Sequence, residues 1–382
     1  MKKAAVVVCP NIRNFGSVLQ SLATQKAVAR LGFDNEYIKY QKTKRTAYKY
    51  LVQLLIPSIM AERFSVLKRK LFQKNNREFI SRRDKAFDDF VDKYMTASPK
   101  ITGYAALCRN AKNYSVAVLG SDQVWNPINS GSDFYTLNWL EKDTPRIAYA
   151  PSFGVSRVPL LLEGFYKRFL KKFDHISVRE IQGQKIVRQL TGKKVPVVCD
   201  PTLLFKAEDW DEIMPEEPVT KGRYIFCYFL GNRTEPRKCV LKLAKKTGLP
   251  IVMMPFFGEI CKYDYKLNAK FAENPDPSHF VSAIKNAEYV CTDSYHGTVF
   301  SIIYQKKVLI FRRHSADSSK NTFSRLESLL SIAGMKDRIV NDVWEDRFIS
   351  DVIDYDKVKK NIEKLRKYSW NYLSNALKDV KK

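Results

Sequence analysis

Short apolar runs that end in a polar turn and lead into a helical pattern recur along this chain, and they constrain its fold more than any other feature. In the first example, the apolar run 4–9 precedes a turn at 10–16, and apolar residues then follow a helical period over 17–31. Continuous apolar runs of this kind are typical of central strands in a parallel sheet. Gly16 stands at the helix start without the rest of a GxGxxG fingerprint, so this turn alone does not predict a dinucleotide site.

The pattern returns in two series. The first continues with predicted strands at 36–40, 115–119, 146–150, 176–178 and 195–199, and the second has predicted strands at 224–229, 250–254, 288–292 and 308–311. This alternation predicts an α/β fold with two Rossmann-like domains. The predicted bounds are an N-terminal domain at 1–205 with a helical insertion at 41–93, a linker at 206–222, a C-terminal domain at 223–345 and a C-terminal helix at 346–382. We expect that helix to brace the first domain.

Residues 288–303 contain the most informative turn. A strand that ends in a polar turn before a helix directs several backbone N–H groups and the positive end of the helix dipole at one point, which suits an anion. Asp293 or Ser294 is expected to cap this helix, and Gly297 to let a ligand or a neighbouring strand approach closely. His296 is either a proton donor and acceptor or a packed histidine, and a single histidine is more often packed.

Composition narrows the partners and the compartment. The formal net charge of +26 predicts an anionic partner, surface or substrate, or else a solvated basic exterior. The seven cysteines form no CxxC pair and have no histidine at ligand spacing, which favours buried, reduced thiols and no metal site. No signal peptide and no run near the ~20 apolar residues of a spanning helix is present, so we expect a cytoplasmic protein.

Residues 41–93 alternate lysine and arginine with apolar and aromatic side chains and are interrupted near Pro57. This predicts two or three basic amphipathic helices. Such helices suit an anionic lipid surface, which would make the protein peripheral on the inner face of the membrane. The alternative is a solvated helical insertion packed on its own domain.

Polar turns beyond the strands indicate where ligands bind, because open parallel sheets bind ligands outside the carboxyl ends of their strands. Two facing Rossmann-like domains would bring these turns to one cleft, as a two-substrate enzyme requires. Arg179, Arg312, Arg313 and Arg325 are suited to carboxylate or phosphate, although a lone arginine pair is more often structural.

Six motifs in this order resemble the polysaccharide pyruvyl transferase family. They are N-F-G-S-V-L-Q at 14–20, G-S-D-Q-V-W-N at 120–126, I-A-Y-A-P-S-F-G at 147–154, S-V-R-E at 177–180, D-P-T-L-L at 200–204 and T-D-S-Y-H-G at 292–297. The resemblance implies a GT-B-like fold and the transfer of pyruvyl from phosphoenolpyruvate onto two hydroxyls of a sugar, giving a cyclic ketal in surface polysaccharide biosynthesis. It implies phosphoenolpyruvate as co-substrate, a saccharide acceptor that is free or lipid-linked, no cofactor, no metal and no nucleic acid partner.

The resemblance also implies roles for particular residues. We expect His296 to act as the acid and Asp122 as the base. The donor-binding residues predicted are Arg179, Ser294, Tyr295, His296, Gly297, Arg312 and Arg313, and the acceptor-binding residues predicted are Asn14, Gly16, Gln20, Gln123, Trp125, Asn126 and Ser152. Many members have an arginine two residues before the motif histidine. Here that position is Ser294, so we expect Arg179 and Arg312 or Arg313 to supply the positive charge.

Two other classes of function remain open at this point. A GT-B glycosyltransferase with a nucleotide-sugar donor would use the same turns to hold a diphosphate. A basic protein that binds nucleic acid or an acidic glycan without turnover would explain the net charge, but not the polar turns at the strand ends.

Overall fold

A computed structural model of the chain describes residues 3–43, 56–57, 59–60, 77–129, 133–214, 218, 220–254, 261–272, 275–314, 323–341 and 343–379. The chain divides into two compact units. Unit 1 contains Met1–Leu67, Val91–Leu204 and Lys364–Lys382, and unit 2 contains Lys68–Phe90 and Phe205–Glu363. Of the predicted amphipathic segment 41–93, residues 44–55, 58 and 61–76 lie outside the described residues.

Unit 1 is built on a parallel five-stranded sheet of short, buried, mostly apolar strands. Its strands are β1 (Lys3–Val7), β2 (Asn35–Tyr37), β5 (Tyr114–Leu119), β6 (Arg146–Ala148) and β7 (His175–Ile176), and a separate pair consists of β3 (Tyr40–Gln41) and β4 (Ile101–Thr102). The spatial order is β2-β1-β5-β6-β7, and every pair in it is parallel. The direction in which the sheet grows reverses between β1 and β5. That reversal is the switch point where such sheets bind ligands.

The first five helices along the chain are α1 (Phe15–Arg30), α2 (Arg77–Tyr94), α3 (Tyr104–Asn110), α4 (Leu160–Leu170) and α5 (Ile181–Thr191). Residues 77–90 of α2 are grouped with unit 2, and the other four helices lie in unit 1. Helix α1 begins where the side chain of Asn14 accepts a hydrogen bond from the backbone N–H of Ser17. It ends at Leu31, and Gly32 then adopts a φ of +81°, which a residue without a side chain tolerates best.

Unit 2 has a parallel six-stranded sheet. Its strands are β8 (Ile225–Tyr228), β9 (Ile251–Met253), β10 (Lys270–Phe271), β11 (Tyr289–Thr292), β12 (Lys307–Phe311) and β13 (Ile339–Val340). The spatial order is β10-β9-β8-β11-β12-β13. Counted along the chain, this is the 3-2-1-4-5-6 order of the Rossmann fold, with its switch point between β8 and β11.

The remaining helices are α6 (Ala207–Ile213), α7 (Thr234–Thr247), α8 (Pro277–Lys285), α9 (Tyr295–Ile303), α10 (Ser324–Ala333), α11 (Arg347–Ser350) and α12 (Tyr355–Lys378). Helix α6 lies inside the segment 206–222 that the sequence predicts as a linker. Trp210 is fully buried there, with its ring 5.1 Å from that of Phe300 in edge contact. The prolines and glutamates of this segment indicate a linker, but one buried tryptophan attaches its first half to unit 2.

The second half of α12 belongs to unit 1, as the sequence predicts for the tail. The hydroxyl of Ser369 accepts a hydrogen bond from the backbone N–H of Cys199 at 2.9 Å. Nε of Arg366 donates to the carbonyl of Leu203 at 2.7 Å, and the indole N–H of Trp370 donates to the carbonyl of Leu204 at 3.0 Å. These hydrogen bonds satisfy one N–H and two carbonyl groups of backbone that lies outside the strands of the sheet.

The fold class predicted from the sequence is confirmed: the chain is α/β, with two Rossmann-like units as in a GT-B-like protein. Two predicted strands differ in detail. The strand predicted at 36–40 is divided between two sheets, and the strand predicted at 195–199 forms only an isolated bridge between Val178 and Val197. In the described part of the chain, no helix has both the length and the apolar content needed to cross a bilayer.

Candidate functional site

The turn between β11 and α9 in unit 2 has the local structure predicted for it. Ser294 caps α9, because its side chain accepts a hydrogen bond from the backbone N–H of Gly297 at 3.3 Å. A Cβ on Gly297 would lie 2.6 Å from the hydroxyl oxygen of Thr292. That hydroxyl donates to the carbonyl of Tyr228 at 2.6 Å and accepts from the N–H of Ser294 at 3.0 Å. Gly297 therefore lets the helix close onto the end of the strand.

Asp293 has a different role from the cap. Its two carboxylate oxygens accept the backbone N–H groups of Leu230 at 2.7 Å and of Gly231 at 2.9 Å. Leu230 and Gly231 follow β8, so this carboxylate ties together the two turns that flank the switch point of unit 2. Asp293 is 3% exposed.

The turn after β8 is also held from its other side. Nη1 of Arg237 donates to the carbonyls of Gly231 at 2.8 Å and Arg233 at 2.9 Å, and its Nε donates to Asp264 at 2.7 Å. The guanidinium carbon lies 4.6 Å from the centre of the Phe229 ring. Arg237 is 1% exposed, so this fully paired cation acts as an internal brace.

A pocket opens beside the turn. It is shallow and partly open to solvent, and it is lined by Asp293, Tyr295, Arg313, His314, Phe323, Arg325 and Leu326. Among the described residues, none accepts a hydrogen bond from Nε of Arg313. Its lining has two arginines and one carboxylate, that of Asp293, whose oxygens already accept two backbone N–H groups, so the lining is net positive and suits a carboxylate or phosphate.

Neighbouring Arg312 is oriented differently from Arg313. Its guanidinium pairs with Glu327 at 3.1 Å and lies 4.2 Å from the centre of the Phe323 ring. It does not line the pocket. Of the two arginines that the sequence offered as alternatives, the structure therefore places Arg313 at the pocket and gives Arg312 partners of its own.

His296 lies in the first turn of α9, 7% exposed, with its ring 5.2 Å from that of Tyr295 in edge contact. Tyr295 lines the pocket directly, whereas His296, Ser294 and Gly297 are not among its lining residues. The predicted donor residues of this motif thus share one helix start, and Tyr295 is the one that faces the pocket.

The switch point of unit 1, where sheets of this kind have a ligand crevice, has Asp122 directly after β5. Its side chain accepts a hydrogen bond from the hydroxyl of Ser17, and the thiol of Cys9 lies 3.9 Å from it. Asp122 has a φ of 75°, in the left-handed region that residues with side chains rarely occupy. Its carbonyl accepts the N–H of Ser152, which helps to hold this conformation. Strained residues of this kind cluster at functional sites.

The buried guanidinium of Arg179 lies near the same carboxylate. Its Nη1 lies 2.6 Å from Asp200, and its Nη2 lies 3.7 Å from Asp122. Asp200 also accepts from the hydroxyl of Ser121 at 3.0 Å and from the N–H and hydroxyl of Thr202. Arg179, predicted as a donor ligand, is therefore a fully buried member of a charge network in unit 1.

The predicted acceptor residues divide by exposure. Asn14 and Gln123 keep part of their surface exposed, with Asn14 acting as the α1 cap. Gly16 lies buried in the first turn of α1, and Asn126 is 9% exposed and hydrogen-bonds the backbone of Ile128. The others are enclosed: Gln20 bonds within α1, Ser152 donates to Glu180 at 2.9 Å, and Trp125 packs in the core between Phe153 and Phe173.

Trp125 departs furthest from its predicted role. It is 2% exposed, and its indole N–H donates to the carbonyl of Tyr135 at 3.3 Å. A side chain with so little exposed surface offers almost nothing to a ligand, so its role in this structure is packing. A tryptophan in a polar motif carries no sequence signal that separates these two roles.

Burial raises the pKa of two groups near these turns, one in each unit. Burial, and then the charge of Asp122, raise the pKa of the Cys9 thiol well above its ordinary value, while Arg179 opposes the shift. Burial also raises the pKa of the Tyr228 hydroxyl, against the nearby charge of Arg313. Both groups are therefore neutral at physiological pH.

Residues that the sequence-based site omitted are His314, Asp293 and Phe323, which line the pocket, and Asp200 and Glu180, which hold the unit 1 crevice. Arg325, which the sequence indicates as suited to carboxylate or phosphate, lines the pocket as well. Their common signal is position: each lies within a few residues of a strand end or helix start. In the part of the chain that the structure describes, no three His, Cys, Asp or Glu side chains are grouped so as to hold a metal ion.

Three solved structures similar to this chain share about a tenth of its sequence or less. A UDP-GlcNAc 2-epimerase from Neisseria meningitidis, bound to UDP-GlcNAc, is 10% identical over 97% of this chain and 94% of its own, with a TM-score of 0.49. MurG from Acinetobacter baumannii is 9% identical over 99% of both chains, with a TM-score of 0.45. An alpha-glucosyltransferase in complex with UDP is 8% identical over 99% of this chain and 95% of its own, with a TM-score of 0.48. Similarity at this level does not extend to activity or ligand.

Among curated proteins, none matches this chain. The family model described as "Polysaccharide pyruvyl transferase" matches residues 14–315, about four fifths of the sequence. That span includes all six motifs, the unit 1 crevice and the unit 2 pocket as far as His314. The chain therefore belongs to the polysaccharide pyruvyl transferase family.

Proposed function

We propose that this transferase moves the pyruvyl group of phosphoenolpyruvate onto two hydroxyls of a saccharide, giving a cyclic ketal and inorganic phosphate. The observation that carries the proposal is the unit 2 pocket, where Arg313, His314 and Arg325 converge beside the start of α9. Phosphoenolpyruvate is small and carries both a carboxylate and a phosphate. A pocket with two guanidinium groups matches that charge pattern.

Arg313 is the anchor we assign to the donor. Arg313 lines the pocket, and its buried Nε donates to none of the described residues, so this guanidinium is less fully paired than that of Arg312. The positive end of α9 adds to the same field, since its first residue, Tyr295, lines the pocket. Arg313 and Arg325 thus supply the positive charge that many family members have from an arginine at the position of Ser294.

The chemistry removes two protons from the sugar hydroxyls and delivers two, one to C3 of the enol phosphate and one to the departing phosphate. A proton added to C3 of the enol turns its methylene into a methyl group and makes C2 cationic, and a first sugar hydroxyl then forms a C2–O bond as it loses its proton. The C2–O bond to phosphate breaks, and the second hydroxyl adds to C2 and loses its proton. We assign proton delivery to His296 and proton removal to Asp122. Such general acid–base help is typically worth about 10²–10⁴-fold.

Unit 1 takes the acceptor in this proposal. Asp122, Gln123 and Asn14 are the polar residues of its crevice with exposed surface, and they suit hydroxyl groups. Catalysis uses no cofactor in this scheme and phosphoenolpyruvate is the co-substrate. The saccharide is a precursor of a surface polysaccharide such as a capsule or exopolysaccharide.

We further propose that the acceptor is lipid-linked and that the protein binds peripherally at the inner membrane face. This part is supported by the basic and apolar composition of residues 41–93. Sedimentation with vesicles of anionic lipid tests it, and equal sedimentation with neutral vesicles would contradict it.

The decisive experiment measures inorganic phosphate released from phosphoenolpyruvate with a panel of acceptor glycans. We expect acceptor-dependent release and a product that carries a ketal carbon by NMR. A parallel assay with UDP-sugars should release no UDP. Turnover of a UDP-sugar, with no phosphate from phosphoenolpyruvate for any acceptor, would refute the proposal.

A further inference from the structure

The switch point of unit 2 is the place where a Rossmann-like sheet ordinarily receives a nucleotide. In that fold the turn after the first strand presents backbone N–H groups to a pyrophosphate at the start of the following helix. Here the first strand is β8, the turn is Phe229–Arg233 and the helix is α7. The polar groups of this turn therefore show whether the ordinary ligand can bind.

Four of those polar groups are already taken within unit 2. The N–H groups of Leu230 and Gly231 donate to the two oxygens of Asp293. The carbonyls of Gly231 and Arg233 accept from Nη1 of Arg237. The turn thus holds a carboxylate of its own chain where the turn of a nucleotide-binding sheet presents its donors to phosphate oxygens.

Space at the turn is closed as well. A Cβ added to Gly231 would lie 2.9 Å from the carbonyl oxygen of Arg313, 2.8 Å from its Cγ and 3.1 Å from a carboxylate oxygen of Asp293. The backbone that follows β12 therefore packs directly against this glycine. A diphosphate would have to displace both the carboxylate and that backbone.

We propose that Asp293 is a built-in anion that excludes nucleoside diphosphates from the unit 2 switch point, so that the donor is restricted to the adjoining pocket of Arg313 and Arg325. The inference concerns which ligands the turn after β8 excludes. It can be tested whether or not phosphoenolpyruvate is the donor. It also gives a physical reason why this Rossmann-like switch point would take no nucleotide.

Chemical rescue tests the proposal. Asp293→Ala removes both charge-assisted bonds and should lower Tm by roughly 10 °C. Formate, which supplies a carboxylate of the deleted kind, should then raise the Tm of the variant by roughly 3–5 °C at about ten times its Kd. Wild-type protein should show no comparable rise, and sodium chloride at matched ionic strength should not substitute for formate.

Asp276→Ala is the matched control. Asp276 also accepts a backbone N–H, that of Ser278 at 2.6 Å, but it does so at the start of α8, outside the crevice. Formate should give this variant no more than the wild-type response. An equal response in both variants would mean that formate acts on the protein generally and would overturn the proposal.

Asp293→Asn covers the case in which the alanine variant fails to fold, because its amide oxygen can still accept one of the two N–H groups. Wild-type protein supplies a second, direct measurement. Hydrogen exchange at the amides of Leu230 and Gly231 should be the same with and without millimolar UDP. Slower exchange at these two amides on addition of UDP would show that a nucleotide reaches the turn, and would refute the exclusion.

Discussion

Each unit has an aspartate at its switch point, and the two aspartates have different partners. Asp122 in unit 1 accepts from the hydroxyl of Ser17 and lies near a thiol and a guanidinium. Asp293 in unit 2 accepts from two backbone N–H groups. The side chain of Asp122 is 17% exposed, whereas Asp293 as a residue is 3% exposed.

In the proposed function, this difference distinguishes a reactive carboxylate from a structural one. A hydroxyl can rotate away from Asp122 when a substrate arrives, because it turns about a single bond. The N–H groups that hold Asp293 are fixed by the backbone of a turn, and their loss would leave two buried donors unpaired. We therefore assign proton transfer to Asp122 and exclusion of ligands to Asp293.

The exposure of the arginines differs between the units in the opposite sense to that of the aspartates. Arg179 in unit 1 is fully buried between Asp200 and Asp122. Arg313 in unit 2 lines a pocket, and no described residue accepts a hydrogen bond from its Nε. Unit 1 thus combines an accessible acid with an enclosed cation, and unit 2 combines an enclosed acid with an accessible cation.

The largest effect should come from Arg179→Met, which leaves two carboxylates in a buried network without their cation. Loss of one partner from a buried ion pair costs about 3–5 kcal/mol of unfolding free energy. Urea denaturation measures it, with Arg312→Met as the control at about 1 kcal/mol or less, since that pair is partly solvated. If Arg179→Met were as stable as the control and lost only donor binding, Arg179 would be a donor ligand after all.

Asp122→Asn should reduce turnover by about 10²–10⁴-fold, because an amide cannot accept the proton of an attacking hydroxyl. Thermal unfolding should stay near that of the wild type. Ser17→Ala is the matched control: it removes the hydrogen bond and keeps the carboxylate, so turnover should fall far less. Comparable losses of turnover in the two variants would mean that Asp122 acts through its hydrogen bond with Ser17 and not as the base.

His296→Gln should lower turnover by about 10²–10⁴-fold with little change in the KM for phosphoenolpyruvate, as expected for loss of the acid. His314→Gln provides the comparison, because His314 lines the pocket and should affect mainly KM. Steady-state phosphate release separates the two parameters. If His314→Gln lost turnover and His296→Gln changed mainly KM, the acid would be His314, in the pocket.

Arg313→Gln should raise the KM for phosphoenolpyruvate by about 10–100-fold, since it removes a charged hydrogen bond to an anion. Arg312→Gln should change it little, because that guanidinium is engaged by Glu327 and the Phe323 ring. Donor titrations of the two variants, which differ by one position, give the contrast. Equal changes would indicate a general field effect and no specific anchor.

The smallest effect concerns Cys9, whose pKa burial raises well above the ordinary 9.0. Below pH 9 the thiol is protonated in both states and contributes no pH dependence. Above it the unfolded thiol ionises while the native thiol keeps its proton, so the free energy of unfolding falls as pH rises, by at most about 1.4 kcal/mol per pH unit from this group. Cys9→Ala should show a shallower fall between pH 9 and 10, and an identical slope would mean that the native thiol ionises too.

Much of the fold was predictable, because a strand buried on both faces must be continuously apolar and an amphipathic helix must follow its own period. Strand β11 and helix α9 appear within one residue of the pattern at 288–303. The helix at 207–213 was missed because Trp210 stands alone among charged residues, and local composition cannot reveal that it reaches Phe300.

The sequence by itself determined two Rossmann-like units, the family and the positions of the polar turns, because periodicity and ordered motifs are local properties of the chain. Only the tertiary structure decided which side chains at those turns have partners. Arg312 and Arg313 are adjacent in sequence and alike in chemistry, yet Glu327 and Phe323 engage the first while the second faces a pocket. Partnership depends on residues brought close by folding, and no local pattern encodes that proximity.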